Sequence, residues 1–163
     1  SVSLGGYQAS AKGVTGAVVH ASGQFSAVGD AQAGSYTLRI ATTNATPAVL
    51  TADASATPVA ANSLTLGGQN AYVIRGRVIA RNTANGECWS WEVTAIARRT
   101  NTAATTALVG SPTVTSLGGD ASLSAASIAV TANTTLGSVV ITVTGIAATG
   151  IHWLAVVDTV EVG

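Results

Sequence analysis

The stretch Ala71–Arg99, AYVIRGRVIAR–NTANGE–CWSWEVTAIARR, decides the fold. Both arms alternate in polarity, and the loop between them holds Asn85-Gly86, two residues that tolerate positive φ and close hairpins. Setting Arg81 opposite Cys88 puts Arg77 against Glu92, Val78 against Trp91 and Gly76 against Val93. One face then carries Tyr72, Ile74, Gly76, Val78 and Ala80 with Trp89, Trp91, Val93 and Ala95. The other carries Arg75, Arg77 and Arg81 with Glu92, Thr94 and Arg98. A slip of one residue would put both tryptophans among the arginines, so burial selects this register. Gly76, diagonal to Trp91, is expected to leave room for the indole.

Outward from this hairpin the same period recurs, and no stretch has helical spacing. Strands are expected at about 16–21, 35–42, 48–53, 62–66, 71–81, 88–99, 105–109, 112–116, 127–132, 138–144 and 151–162. Ile128–Ala132 and Val139–Val143 form a second hairpin across Asn133–Gly137. Leu-Gly-Gly at 4–6, 66–68 and 117–119 reads as turns after strands, because the spacings are too unequal for a repeat. Many short strands with Gly, Pro and Asn between them predict an all-β domain, an antiparallel β-sandwich or a jelly-roll-like fold. Residues 1–16 read as a linker or shaft junction and 17–163 as the domain.

The closing strand is different from the rest. Ile151, Trp153, Ala155 and Val157 share one face, while Leu154, Val156, Val160 and Val162 share the other. Apolar character on both faces calls for cover on both sides. A thin sandwich covers only one, so these last four residues are expected to form a subunit interface.

Composition narrows the function. Only 9% of the 163 residues are charged, seven basic and seven acidic, and the net charge is zero. An ordinary soluble domain carries roughly a quarter. Such a surface stays in solution through Thr, Ser, Asn and Gly, or by contact with copies of itself. Nucleic-acid binding needs a basic excess to release counterions and is not expected. Neither is membrane insertion, since the longest apolar run, Ile151–Val157, contains His152 and is far short of the ~20 residues of a spanning helix. The first six residues lack the basic and hydrophobic regions of a signal peptide. A chain that opens on Ser1 and has no methionine is expected to be a processed product or a fragment.

Few residues suit catalysis. The carboxylates Asp30, Asp53, Glu87, Glu92, Asp120, Asp158 and Glu161 fall mostly at turns, and no local pattern presents the facing pair that glycoside hydrolysis needs. Asp30 and Asp120 read as turn or capping residues. His20 and His152 are far apart, without a partner at ligand spacing, so no metal or other cofactor is expected. Lone Cys88 reads as a small hydrophobe. No nucleophile elbow, zinc-protease or phosphate-loop motif occurs. Asn44-Ala45-Thr46 and Asn133-Thr134-Thr135 match a glycosylation pattern that arises by chance in a Thr-rich chain.

Trp91 and Trp153 sit mid-strand among aliphatics and read as core, whereas Trp89, beside the hairpin loop, suits either packing or sugar stacking. The ligand-binding candidates are therefore Asn82, Asn85, Glu87 and Trp89, because amides beside an indole suit a neutral carbohydrate. The arginine face reads as a solvated surface or a cross-subunit ion-pair surface. An exposed Arg77–Glu92 pair on it would contribute roughly 0.2–1 kcal/mol.

The blocks His20-Ala21-Ser22-Gly23 with Phe25, Gly29-Asp30-Ala31-Gln32, Leu38-Arg39, Thr42-Thr43, Arg77–Arg81, Ile96–Arg99 and Ile151–Val162 resemble, in this order, a pattern in tail-fibre and related structural proteins of tailed bacteriophages. The resemblance spans about residues 17–163 and lends no catalytic residues. It implies a β-rich, often trimeric virion part near the carboxy end of a fibre, extracellular, that recognises a host-surface glycan or protein. Such parts otherwise serve as a structural tip, joint or capsid decoration. On this reading the chain is a non-enzymatic homotrimeric attachment domain. The alternatives are a purely structural virion protein and a glycan-cleaving depolymerase.

Overall fold

The computed structural model describes residues 2–163 and arranges twelve strands in two sheets. Four long strands form the body of the larger sheet, side by side in the order β3 (Ala31–Thr42), β12 (Ile151–Val162), β6 (Asn70–Asn82) and β7 (Cys88–Arg99). Beyond β3 lie β2 (Val18–Ala21) and β1 (Val2–Gly6). The far edge of β7 is shared by β8 (Ala107–Leu108) and β9 (Thr113–Gly119). The smaller sheet centres on β11 (Ser138–Thr144), flanked on one side by β10 (Ser127–Asn133) and on the other by the short β4 (Ala48–Val49) and β5 (Leu64–Thr65). All pairings are antiparallel except β1 with β2. The chain is an antiparallel β-sandwich with unequal layers.

The central hairpin has the register its polarity demands: Arg81 opposite Cys88, Arg77 opposite Glu92, Val78 opposite Trp91 and Gly76 opposite Val93. Its loop closes through Asn82 N donating to the Glu87 carbonyl at 2.8 Å and Gly86 N donating to Asn82 O at 3.0 Å. The second hairpin pairs Ile128 with Val143 and Ala132 with Val139. Its turn is held by Asn133, whose Oδ1 accepts from the backbone N–H of Thr135 and Leu136, both at 3.0 Å.

Burial follows parity. Along β6 every even-numbered residue from Asn70 to Asn82 is buried and every odd one exposed. Along β12 the odd residues Ile151, Trp153, Ala155 and Val157 are buried against the smaller sheet. They meet Tyr36, Leu38, Ile74, Val78 and Val93 from the neighbouring strands and Val139, Ile141 and Val143 from β11 in one core. Trp91 and Trp153 stack at its centre, with ring centroids 5.6 Å apart and planes inclined by 25°. The Trp153 indole N–H donates to Thr42 Oγ1 at 3.0 Å, which removes the cost of burying an unpaired donor.

Some expectations need correction. Residues 2–6 form an edge strand on β2 instead of plain linker. The expected strands at 48–53 and 62–66 shrink to two residues each, with a single-turn 3-10 helix at Ala60–Asn62 and only an isolated bridge joining Thr51 to Arg39. Leu117-Gly118-Gly119 is not a turn but the end of β9. There the register shifts between Ser90 and Trp91, and Gly118, at φ +90°, absorbs the bulge. Gly76 does not make room for Trp91. A Cβ built on it would lie 3.5 Å from Val93 Cβ, 3.6 Å from Val157 Cγ2 and 3.9 Å from Ile141 Cδ1. Those are ordinary contacts, so Gly76→Ala should be tolerated, whereas the extra methyls of Gly76→Val should overpack the core and cost roughly 1–3 kcal/mol. Urea unfolding of both variants checks this, and equal midpoints would show that the space above Gly76 is larger than drawn.

Candidate interaction surface

The two outer faces of the sandwich differ in kind. The smaller sheet turns Ser127, Ala129 and Thr131 to solvent, which is unremarkable for a neutral surface. The larger sheet exposes Val73, Ile79, Ile96, Leu154, Val160 and Val162 at 42–62% of their full accessibility. Strand pairing makes these residues neighbours. Leu154 lies opposite Arg39 and Ile79, Val156 opposite Thr37 and Arg77, Val160 opposite Ala33 and Val73, and Val73 opposite Ile96. The four residues expected at a subunit interface thus share one face with three more large aliphatics. Leu154, Val160 and Val162 are exposed and Val156 is half-buried. The cover that a two-sided β12 calls for does not come from any described part of the same chain.

Charge concentrates on the same face. Arg39, Arg75, Arg77, Arg81 and Arg98 all expose their side chains there, with only Glu92 and Asp158 to answer them. Arg77 stands opposite Glu92 and Arg75 opposite Asp158, yet neither closes into an ion pair. The expected Arg77–Glu92 contact is absent, and the sole ion pair among the described residues is elsewhere. An open groove of about 580 Å³ lies between Val18, His20, Val73, Arg75, Asp158 and Val160. A second, of about 380 Å³, lies between Arg39, Ile79, Arg81, His152 and Leu154.

The hairpin tip is a weaker site than its composition promises. Asn82 is buried, and its Oδ1 accepts from Ala84 N at 2.9 Å. Asn85 Nδ2 donates to Glu87 Oε2 at 2.7 Å, while Glu87 N donates back to Asn85 Oδ1 at 3.1 Å. Ser122 Oγ also donates to Glu87. Trp89 is half-buried against the core, and its indole N–H donates to Ser116 Oγ at 2.8 Å. Asp120 stands at the N-cap position of the 3-10 turn Ala121–Leu123 but makes no side-chain cap there; its Oδ2 instead accepts from Cys88 N at 2.8 Å and ties the turn to the start of β7. The structure gathers Asn85, Glu87 and Trp89 at one tip but turns Asn82 inward, and it commits Asn85 and Glu87 to each other and the Trp89 indole N–H to Ser116.

Asp30 is also a turn residue, and a deeply engaged one. Its carboxylate accepts backbone N–H bonds from Phe25 at 2.8 Å, Ser26 at 2.6 Å and Ala27 at 2.7 Å. Burial opposes its ionisation, but these amides and the Ser26 hydroxyl outweigh it and bring the pKa from the usual 3.8 to about 2. A group whose folded pKa is depressed stabilises the fold fully above the unfolded value and loses that contribution as pH falls through the folded one. The wild type should therefore lose stability between about pH 4 and pH 2, and Asp30→Asn should flatten that part of the profile. Thermal melts across this range test it, and parallel slopes would remove Asp30 as the cause.

Glu161 was not singled out by sequence, though it has the parity of the buried face of β12. It is 3% exposed and accepts from Lys12 Nζ at 2.6 Å, from Gln32 Nε2 at 2.8 Å, and from Asn70 Nδ2 and Tyr72 OH. Gln32 also reaches Ser10 through two backbone bonds. Burial, with the nearby Glu161 charge, pushes the Tyr36 hydroxyl up to about 12 and raises that of Tyr72 further. This cluster is a clamp between the 8–12 segment and the end of β12, with the Glu161 carboxylate buried and Lys12 partly exposed beside it. Among the described residues no three His, Cys, Asp or Glu side chains gather as a metal site would require.

No family model matches the chain, and no curated protein matches it.

Proposed function

We propose that this chain is a non-enzymatic virion domain, the tip of a tailed-phage fibre or spike, which assembles as a homotrimer and attaches to a glycan or protein on the host surface. The observation that carries the reading is the outer face of the larger sheet: a broad aliphatic surface that one copy leaves in water, on a chain otherwise covered with neutral hydrogen-bonding groups. A monomer rarely leaves so large an apolar patch uncovered unless something binds there. Attachment then belongs to the loops that the assembly leaves free. That Asn85 and Glu87 bond to each other and the Trp89 N–H to Ser116 favours a second reading, a structural joint or capsid decoration with no small ligand.

The test is adsorption of the purified chain to host cells and to an array of surface glycans, with release of reducing ends followed in parallel. Saturable binding without release supports attachment. An assembled protein that binds neither cells nor glycans would move the assignment to the structural reading, and sugar release would replace both with an enzyme.

A further inference from the structure

In the clamp around Glu161, three side chains are set as reactants. Glu161 on β12 lies opposite Tyr72 on β6, and Asn70, two residues earlier on β6, shares the buried face of that strand. The Glu161 carboxylate therefore has the Asn70 carboxamide beside it, and Asn70 Nδ2 donates to Oε1. The other oxygen, Oε2, accepts from Lys12 Nζ at 2.6 Å. The same ammonium reaches the Gly29 carbonyl at 3.4 Å, and the Tyr72 ring lies 5.9 Å away. Gly67 shows how closely the three groups converge. A Cβ built there would fall 2.8 Å from Lys12 Cε, 2.9 Å from Asn70 Nδ2 and 3.2 Å from Glu161 Oε1, so a side chain at this position would push them apart. An amine, a carboxamide and a carboxylate that touches both are what an amide exchange requires: a nucleophile, an acyl group and a proton carrier.

We propose that Lys12 and Asn70 become joined by an amide bond between their side chains, formed by the folded chain itself with Glu161 as acid–base catalyst and ammonia as by-product. Lys12 passes one proton to Glu161 Oε2 and becomes an amine, whose Nζ adds to Asn70 Cγ. One electron pair of the Cγ–Oδ1 double bond moves onto the oxygen. Glu161 then gives a proton to Nδ2 through Oε1 and takes one from Nζ through Oε2. The electron pair returns from oxygen, the Cγ–Nδ2 bond breaks and ammonia leaves. As ammonium it carries off the proton left on Glu161, which is a carboxylate again. No oxidant or other co-reactant is consumed. Holding both reactants on one carboxylate supplies the proximity and orientation that an inert carboxamide needs in order to react. The Lys12 side chain is 15% exposed and that of Glu161 1%, so ammonia has a way out on the lysine side. The bond fixes the 8–12 segment to the first residue of β6 and closes a loop that contains β2 to β5. Such a closure restrains the unfolded chain and so stabilises the fold. The ion pair described above is the state that precedes the bond. Without Glu161 no bond forms and Lys12 remains an ammonium.

Mass spectrometry of the purified chain under denaturing conditions tests it. The wild type, once folded, should be lighter than its sequence by one ammonia. Trypsin should no longer cut after Lys12, and fragmentation should find Lys12 linked to Asn70. On a denaturing gel the looped chain should run ahead of Lys12→Arg, which keeps the cation but has no amine to attack with. Lys12→Arg, Asn70→Ala and Glu161→Gln should all retain the full sequence mass. Near-ultraviolet circular dichroism from the stacked tryptophans certifies folding, and the first two variants carry the test if Glu161→Gln loses that signal. A folded wild type of full sequence mass would overturn the bond. Loss of ammonia with trypsin still cutting after Lys12 would place a succinimide at Asn85-Gly86 and overturn it as well. Loss of one water, with Lys12 linked to Glu161, would remove Asn70 as the acyl group and overturn the exchange. A bond that still forms in folded Glu161→Gln would remove Glu161 as catalyst. None of these results bears on the attachment proposed above, so the two readings fail separately.

Discussion

Trp153→Ala is expected to lower the unfolding free energy by about 3–5 kcal/mol, the range for deleting a large aromatic from a packed core. Three losses combine there. The indole is 2% exposed at the centre of the sandwich, it stacks on Trp91, and its N–H satisfies Thr42 Oγ1. Trp153→Phe should recover most of the packing but strand Thr42, and so should fall between wild type and alanine. Trp91→Ala gives a further comparison. If the stack contributes beyond burial, the double variant should cost less than the sum of the singles by about 0.5–1.5 kcal/mol. Denaturant unfolding measures all four proteins, and a Trp153→Ala cost below about 1 kcal/mol would mean that this pair does not organise the core.

The second large effect is expected at Glu161. Its removal leaves Lys12, Asn70, Tyr72 and Gln32 around a site with no acceptor, and stripping one partner from a buried ion pair typically costs about 3–5 kcal/mol. Glu161→Ala should therefore destabilise about as much as the loss of Trp153, although it deletes far less apolar volume. The sign of the companion experiment identifies the cause. Lys12→Met in the Glu161→Ala background should restore part of the loss, because the uncompensated ammonium goes with it. If the double variant is no more stable than Glu161→Ala, the cost lies in the amide and hydroxyl contacts and the ion pair contributes little.

The central hairpin and β12 could be read from the chain because a period of two, with tryptophans on one parity and arginines on the other, leaves a single acceptable register. The division of β12 into a buried and an uncovered face was legible for the same reason. The short strands at 48–53, 62–66 and 105–109 were legible in place but not in length. At β4, β5 and β8 two residues pair and then the backbone turns away, and no local pattern encodes so brief a contact. Residues 2–6 join the sheet through a parallel pairing to β2 that the sequence Val-Ser-Leu-Gly-Gly does not announce. Glu161 had the right parity to be recognised as buried, yet its partners come from Lys12, Gln32 and Asn70, and only the folded topology brings these together. The hairpin tip misled in the opposite direction. Its amides and carboxylate look available in sequence, but Ser122, thirty-five residues away from Glu87, takes up part of that capacity.

The place of β12 also bears on how the protein comes to be folded. It is the last of the twelve strands to leave the ribosome, yet it sits between β3 and β6 and bonds to both along all twelve residues. Until it arrives, the two halves of the larger sheet have no common seam, and both present raw edges that any matching strand can fill. Acquisition of native structure therefore has to wait until this strand has been made, and crowded nascent chains can lend one another this strand.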